Sequence, residues 1–164
     1  MIYHLIRMAA YGAIAGVIAL AFCLIKHYER KKTIYITLFA AYIGALAGLE
    51  LFKITIGVLP RTYQLIPLVT IIDSIRRGNF TYIMQIIASI VVFIPLGVFI
   101  KAKQKNISKA IVYGFLLSLV MEALQFVLRV GTFDVDDIIL NVLGAVIGFL
   151  LAGKLVSKKQ LGRT

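Results

Sequence analysis

The chain has 164 residues, a one-domain length, of which 61% are hydrophobic and 15% charged, with a mean hydropathy of +0.97; a soluble domain holds roughly 45–50% apolar and about 25% charged residues. A globule of this size keeps most residues near its boundary and cannot hide so much apolar surface, which excludes a water-soluble fold and leaves an integral membrane protein. Lys and Arg number 18 against 7 acids, for a net charge of +11, but they sit in short clusters between apolar runs, the pattern of loops beside anionic lipid and not of a nucleic-acid surface.

In chain order, the first charge-free run is Met8–Ile25, closed by the basic stretch from Lys26 to Lys32. It lacks a small-residue cleavage site, so it is expected to be a retained span. Thr33–Leu49 forms the second, its apolar pattern continuing past Glu50 and Lys53 to Pro60. Gly78–Ile100 forms the third and carries Pro95, which removes a backbone bond and should bend the helix. Ala110–Leu128 is apolar apart from Glu122 and Gln125, and Ile138–Gly153 apart from Asn141. A span needs about 20 apolar residues, with roughly 17–25 tolerated. The expected fold is therefore an all-α, polytopic transmembrane helical bundle of about five spans, a single membrane domain over residues 1–164.

Between the second and third spans, Leu68, Ile71, Ile72 and Ile75 recur at helical spacing, with Thr70, Asp73, Ser74, Arg76 and Arg77 on the other face. Pro67 suits a first turn and Gly78-Asn79 a stop. The segment reads as a short amphipathic helix lying at the outer interface, with a re-entrant hairpin as the alternative.

Basic residues set the expected topology. The 26–32 loop, the 101–109 loop and the C-terminal tail hold four each, while Arg7, Arg61, Arg76, Arg77 and Arg129 fall on the opposite side. With five spans all three Lys-rich segments share one side, which is then cytoplasmic. The N-terminus is expected outside and the C-terminus inside. Gly12-x-x-x-Gly16, Gly44-x-x-x-Gly48 and Gly144-x-x-x-Gly148 each set two small residues on one helix face. Such faces serve packing within the chain or, alternatively, an oligomer. A single cysteine, Cys23, excludes an intrachain disulfide and a Cys-based metal site, and His4 and His27 form no spacing motif; no metal and no cofactor are expected.

The chemistry concentrates late in the chain. Glu122, Gln125 and Arg129 stand at i, i+3 and i+7 on one helix face, and Asp137 and Asn141 at i and i+4 open the next helix. Between them Val130-Gly131-Thr132-Phe133 is short enough to force an antiparallel pair that joins the two polar faces, with Asp134 and Asp136 beside them. A carboxylate in hydrocarbon costs at least about 2.5–3.5 kcal/mol, so Glu122 and Glu50 should be paired, protonated or turned to a wet cavity. Lys53 lies one turn from Glu50. The cluster reads either as hydrogen bonds joining two helices or as a ligand-facing cavity.

Glu122-Ala-Leu-Gln125-Phe126, Arg129-Val-Gly-Thr-Phe-Asp134-Val-Asp136-Asp137 and Asn141-Val-Leu-Gly144 resemble the signature of the VanZ-like family. Phe93-Ile-Pro95-Leu-Gly97 and Leu65-Ile66-Pro67-Leu68 resemble its two earlier elements, in the same order, over a region from 64 to 148. Gln64 and Ser89 stand where the family has Asn. The resemblance implies a polytopic bacterial protein of the cytoplasmic membrane, similar to those linked to low-level teicoplanin resistance; it implies no stated reaction.

Three functions are open. One is an accessory protein at the outer leaflet that binds membrane lipid or a lipid-linked cell-wall precursor, or meets the lipopeptide or glycopeptide antibiotic itself, and limits drug access. Arg61, Arg76, Arg77 and Arg129 suit phosphate or carboxylate there, with Glu50, Gln64 and Ser89 as accessory polar groups. The second is an enzyme on a lipid head group with Glu122 or Asp137 as general acid or base, and Asp134, Asp136 and Asp137 offering oxygen ligands. The third is a carrier for a lipid or small solute, opposed by the lack of an inverted repeat.

Overall fold

The computed structural model describes residues 2–50, 60, 62–78 and 80–161, with side chains except at 2–5, 7, 50, 82 and 156–161. Lys53, Arg61 and the side chain of Glu50 thus lie outside the described residues. Six helices occur among the described residues: α1 (Ile2–Ile25), α2 (Arg30–Glu50), α3 (Val69–Arg76), α4 (Phe80–Lys103), α5 (Ile107–Leu128) and α6 (Val135–Leu161). Two strands of two residues each, β1 (Tyr63–Gln64) and β2 (Phe133–Asp134), pair in parallel. All helices but α3 are long and apolar enough to cross a membrane. The fold is all-α, with five spans as the charge-free runs require.

The chain divides into two compact units, Met1–Arg61 with Leu124–Gly131, and Thr62–Ala123 with Thr132–Thr164. In the first, α1 and α2 form a hairpin. Its turn places His27 at φ 50, and the Tyr28 N–H donates to the Cys23 carbonyl at 3.1 Å, closing the helix end. Gly12 lies against Ala41 and Ala45, and Gly44 against Tyr11 and Ala15, so the small faces bring the two backbones together.

In the second unit α6 is the central packing element. A Cβ at Gly144 would overlap the Ile90 carbonyl, and one at Gly148 the Ile94 carbonyl, so α4 and α6 meet backbone to backbone. Phe93, Leu96, Ala145 and Phe149 fill this contact and are buried. α4 runs through Pro95 as one helix. α5 meets α6 where Gly114 faces Val142 and Ala145.

Helix α3 is present where the periodicity predicts it. Ser74 is buried and Thr70 half-buried, while Leu68, Val69, Ile72 and Ile75 are 42–63% exposed. Thr70 and Ser74 thus turn toward the protein, whereas Asp73, Arg76 and Arg77 share the exposed surface with Ile72 and Ile75.

Candidate functional site

The site is built where the non-helical segment before α3 meets the start of α6. The Phe133 N–H donates to the Thr62 carbonyl at 3.1 Å, and Tyr63 and Gln64 pair with Phe133 and Asp134. The Thr62 and Thr132 hydroxyls lie 2.7 Å apart and tie the ladder's end. Successive strand residues point to opposite faces, so the ladder sends Gln64 and Asp134 to one side and Tyr63 and Phe133 to the other.

On the polar side three acids hold the backbone. The Asp134 N–H donates to Glu122 Oε2 at 2.9 Å, and Glu122 is 2% exposed. Asp134 then caps α6, accepting from the Asp136 N–H at 2.8 Å through Oδ1, while its Oδ2 accepts from the Thr70 hydroxyl at 2.9 Å. Asp136, 1% exposed, reaches the start of α3: Oδ1 accepts from Leu68 N–H, and Oδ2 from Thr70 N–H at 2.8 Å and Ile71 N–H at 3.2 Å. These donors are orphans of a helix start that nothing within α3 can satisfy, and negative charge there is favoured by the helix dipole. Leu68 takes φ 67 to aim its N–H at the carboxylate. A buried backbone donor left without a partner is costly, and this network supplies partners for the donors at the start of α3.

The other predicted residues divide. Asn141 Nδ2 donates to Ser118 Oγ at 2.8 Å, joining α5 and α6. Asp137 is half-buried in the first turn of α6 and has a partner. Gln64 closes a local turn, its amide donating to the Ile66 carbonyl at 3.0 Å and accepting from the Ile66 N–H at 3.3 Å. The Ser89 hydroxyl donates within its own helix, to the Gln85 carbonyl. Arg77 pairs with Asp73 at 2.9 Å on the exposed side of α3, and Arg76 is exposed. Gln125 lies in the last turn of α5 and Arg129 just beyond its end, both within the first unit. There Val130 N–H donates to the Gln125 carbonyl and Arg129 N–H to that of Phe126, with Arg129 exposed at φ 55, where glycine is usual. The buried Gln125 side chain lies against Gly131.

A polar recess of about 230 Å³ beside α3 is lined by Gln64, Val69, Thr70, Asp73, Ser74 and Arg77. It brings two of the predicted residues, Gln64 and Arg77, together with hydroxyls. Among the described residues no three His, Cys, Asp or Glu side chains group as a metal site, and the oxygens of Asp134 and Asp136 are turned to Thr70 and to backbone N–H groups.

A VanZ/LLP1 family model matches residues 33–156. The chain is also similar to Protein VanZ of Enterococcus faecium, 31% identical over 137 residues, across 77% of this chain and 80% of that protein. The chain belongs to the VanZ/LLP1 family. No solved structure matches it. With five helices of membrane-crossing length, this VanZ/LLP1 member is a multi-pass membrane protein. The family match begins at residue 33, within the part of the chain that carries none of the family elements named above.

Thr70, Asp73 and Ser74 in the recess and Ser118 beside Asn141 are site residues that sequence reasoning did not single out. Ser118 stands one turn before Glu122 on the same helix face, a signal the spacing contained. Thr70 gave none, because its partner Asp134 lies 64 residues away.

Proposed function

We propose that this VanZ/LLP1 protein binds a lipid or lipid-linked cell-wall precursor at the outer leaflet of the bacterial cytoplasmic membrane and so limits access of glycopeptide and lipoglycopeptide antibiotics such as teicoplanin. The observation that carries the reading is the recess lined by Gln64, Thr70, Asp73, Ser74 and Arg77, beside a helix whose Ile72 and Ile75 face outward. The Arg77 guanidinium pairs with Asp73 through Nη2 and keeps further N–H groups for the head of an anionic amphiphile, whose chains would lie on the adjacent apolar surface, since guanidinium binds phosphate bidentately. The exposed Arg76 adds positive charge that raises the local concentration of such head groups. In this reading the three basic segments are cytoplasmic and residues 60–80 and 129–134 lie outside. Acid–base chemistry at Glu122 has less support, because its Oε2 is engaged by the Asp134 N–H.

The test is the lipid retained after gentle detergent purification, identified by mass spectrometry. The reading expects a polyprenyl phosphate or another anionic lipid enriched over the bulk membrane, with the enrichment lost in Arg77→Ala. Retained lipid of bulk composition in both proteins would overturn it.

A further inference from the structure

We propose that a second site, an apolar groove between α5 and α6, seats one hydrocarbon chain of an anionic bilayer lipid, of the kind proposed above, that enters from the N-terminal end of α6. The groove has a volume of about 490 Å³ and is lined by carbon: Phe115 and Leu119 from α5, and Phe133, Ile138, Ile139 and Val142 from β2 and α6. That volume falls within the roughly 300–1,000 Å³ of small-molecule sites.

Three features select a lipid chain as the occupant. Both walls belong to helices of membrane-crossing length, so the groove opens onto hydrocarbon. The lining stops where Gly114 brings α5 against Val142 and Ala145, and from Val135 to Val142 the helix rises about 10 Å at 1.5 Å per residue. A leaflet of hydrocarbon is about 15 Å deep, half of the roughly 30 Å core, so the groove fits part of one chain within one leaflet. At its open end stands Tyr63, paired with Phe133 and therefore on the same face of the ladder, with 69% of its surface exposed. A tyrosine there is the residue found at the head-group level, where its ring is apolar and its hydroxyl wet.

The inference deepens the lipid-binding reading above and rests on it for its link to drug protection, while the chain seat itself is measured separately. The protein has no tryptophan, so Phe115→Trp places one fluorophore in the groove, and Val91→Trp places one on an exposed position of α4. Each full-length variant is reconstituted in phosphatidylcholine vesicles containing rising fractions of phosphatidylglycerol with dibrominated chains, which quench on contact. A seated chain quenches the Trp of Phe115→Trp at about tenfold lower brominated fraction than that of Val91→Trp, the preference that about 1.4 kcal/mol confers. Adding Ile139→Phe or Leu119→Phe to fill the groove abolishes that preference. Quenching of both positions along one curve, or a preference that survives both filling changes, would overturn the chain seat. Full drug protection by a filled-groove variant that has lost the preference would instead contradict the link to function and leave the seat standing.

Discussion

Asp136 is buried with both carboxylate oxygens turned to N–H groups 65 to 68 residues earlier in the chain. Asn at this position keeps one acceptor oxygen and presents an NH₂ to the remaining donors. A hydrogen bond to a charged group contributes about 1.5–3 kcal/mol, and a donor left unpaired costs more, so Asp136→Asn should lower stability by at least about 2 kcal/mol. Asp73→Asn removes only an exposed i,i+4 pair with Arg77, worth about 0.3–0.5 kcal/mol. Thermal denaturation in detergent checks the contrast, and equal midpoints would contradict the anchoring role. Glu122→Gln is different in kind, because Gln retains an oxygen for the Asp134 N–H and removes only the charge. Drug protection lost at unchanged stability and membrane level would assign Glu122 a role beyond anchoring; loss of stability together with protection would make it structural. Arg129 separates backbone from side chain. Its left-handed φ costs a non-glycine residue about 1–2 kcal/mol, so Arg129→Gly should raise stability by about 1 kcal/mol while abolishing any protection that needs the guanidinium. Arg129→Lys keeps the charge without the planar fork, and full susceptibility protection by Lys would reduce Arg129 to an anchor for anionic head groups.

At the scale of elements, the five spans were legible because each is a charge-free run of membrane-crossing length, a signal held in the chain's local composition. The short helix α3 was legible from the spacing of Leu68, Ile71, Ile72 and Ile75, but which of its polar residues turn inward was not. Periodicity gives two faces and says nothing of which solvent lies outside; here Thr70 and Ser74 turn inward to acids and backbone, and Ile72 and Ile75 turn out. The β1–β2 pairing escaped because two-residue strands leave no alternation to read. The glycine pairs were legible as close-approach faces, and the structure brings Gly12, Gly16 and Gly44 to the α1–α2 contact and Gly144 and Gly148 to α4. Gly148→Leu drives a side chain into the Ile94 carbonyl, and overpacking costs about 1–3 kcal/mol or more, so it should broaden or abolish the monodisperse peak on size exclusion. Gly153→Ala meets only the flexible end of Lys101 and should leave the peak unchanged.

At the scale of the whole molecule, the acid cluster was legible as a group, whereas its partners were not, since they are backbone donors of a segment distant in sequence. Glu122 and Asp136 accept from backbone N–H groups of irregular chain and of the start of α3, donors that would otherwise need water. The topology read from basic residues makes a direct prediction. On a Cys23→Ala background, a cysteine at Phe133 should react with an impermeant thiol reagent in intact cells and one at Lys103 should not; the reverse pattern would invert the assignment. The central claim, that the protein limits drug access from the outer leaflet, is tested most directly by the amount of fluorescently labelled teicoplanin bound to intact cells of a sensitive host. Cells expressing the protein should bind less drug than vector controls, with binding restored by Arg77→Ala at matched membrane levels. Equal binding by expressing and control cells, with protection still present, would contradict the account.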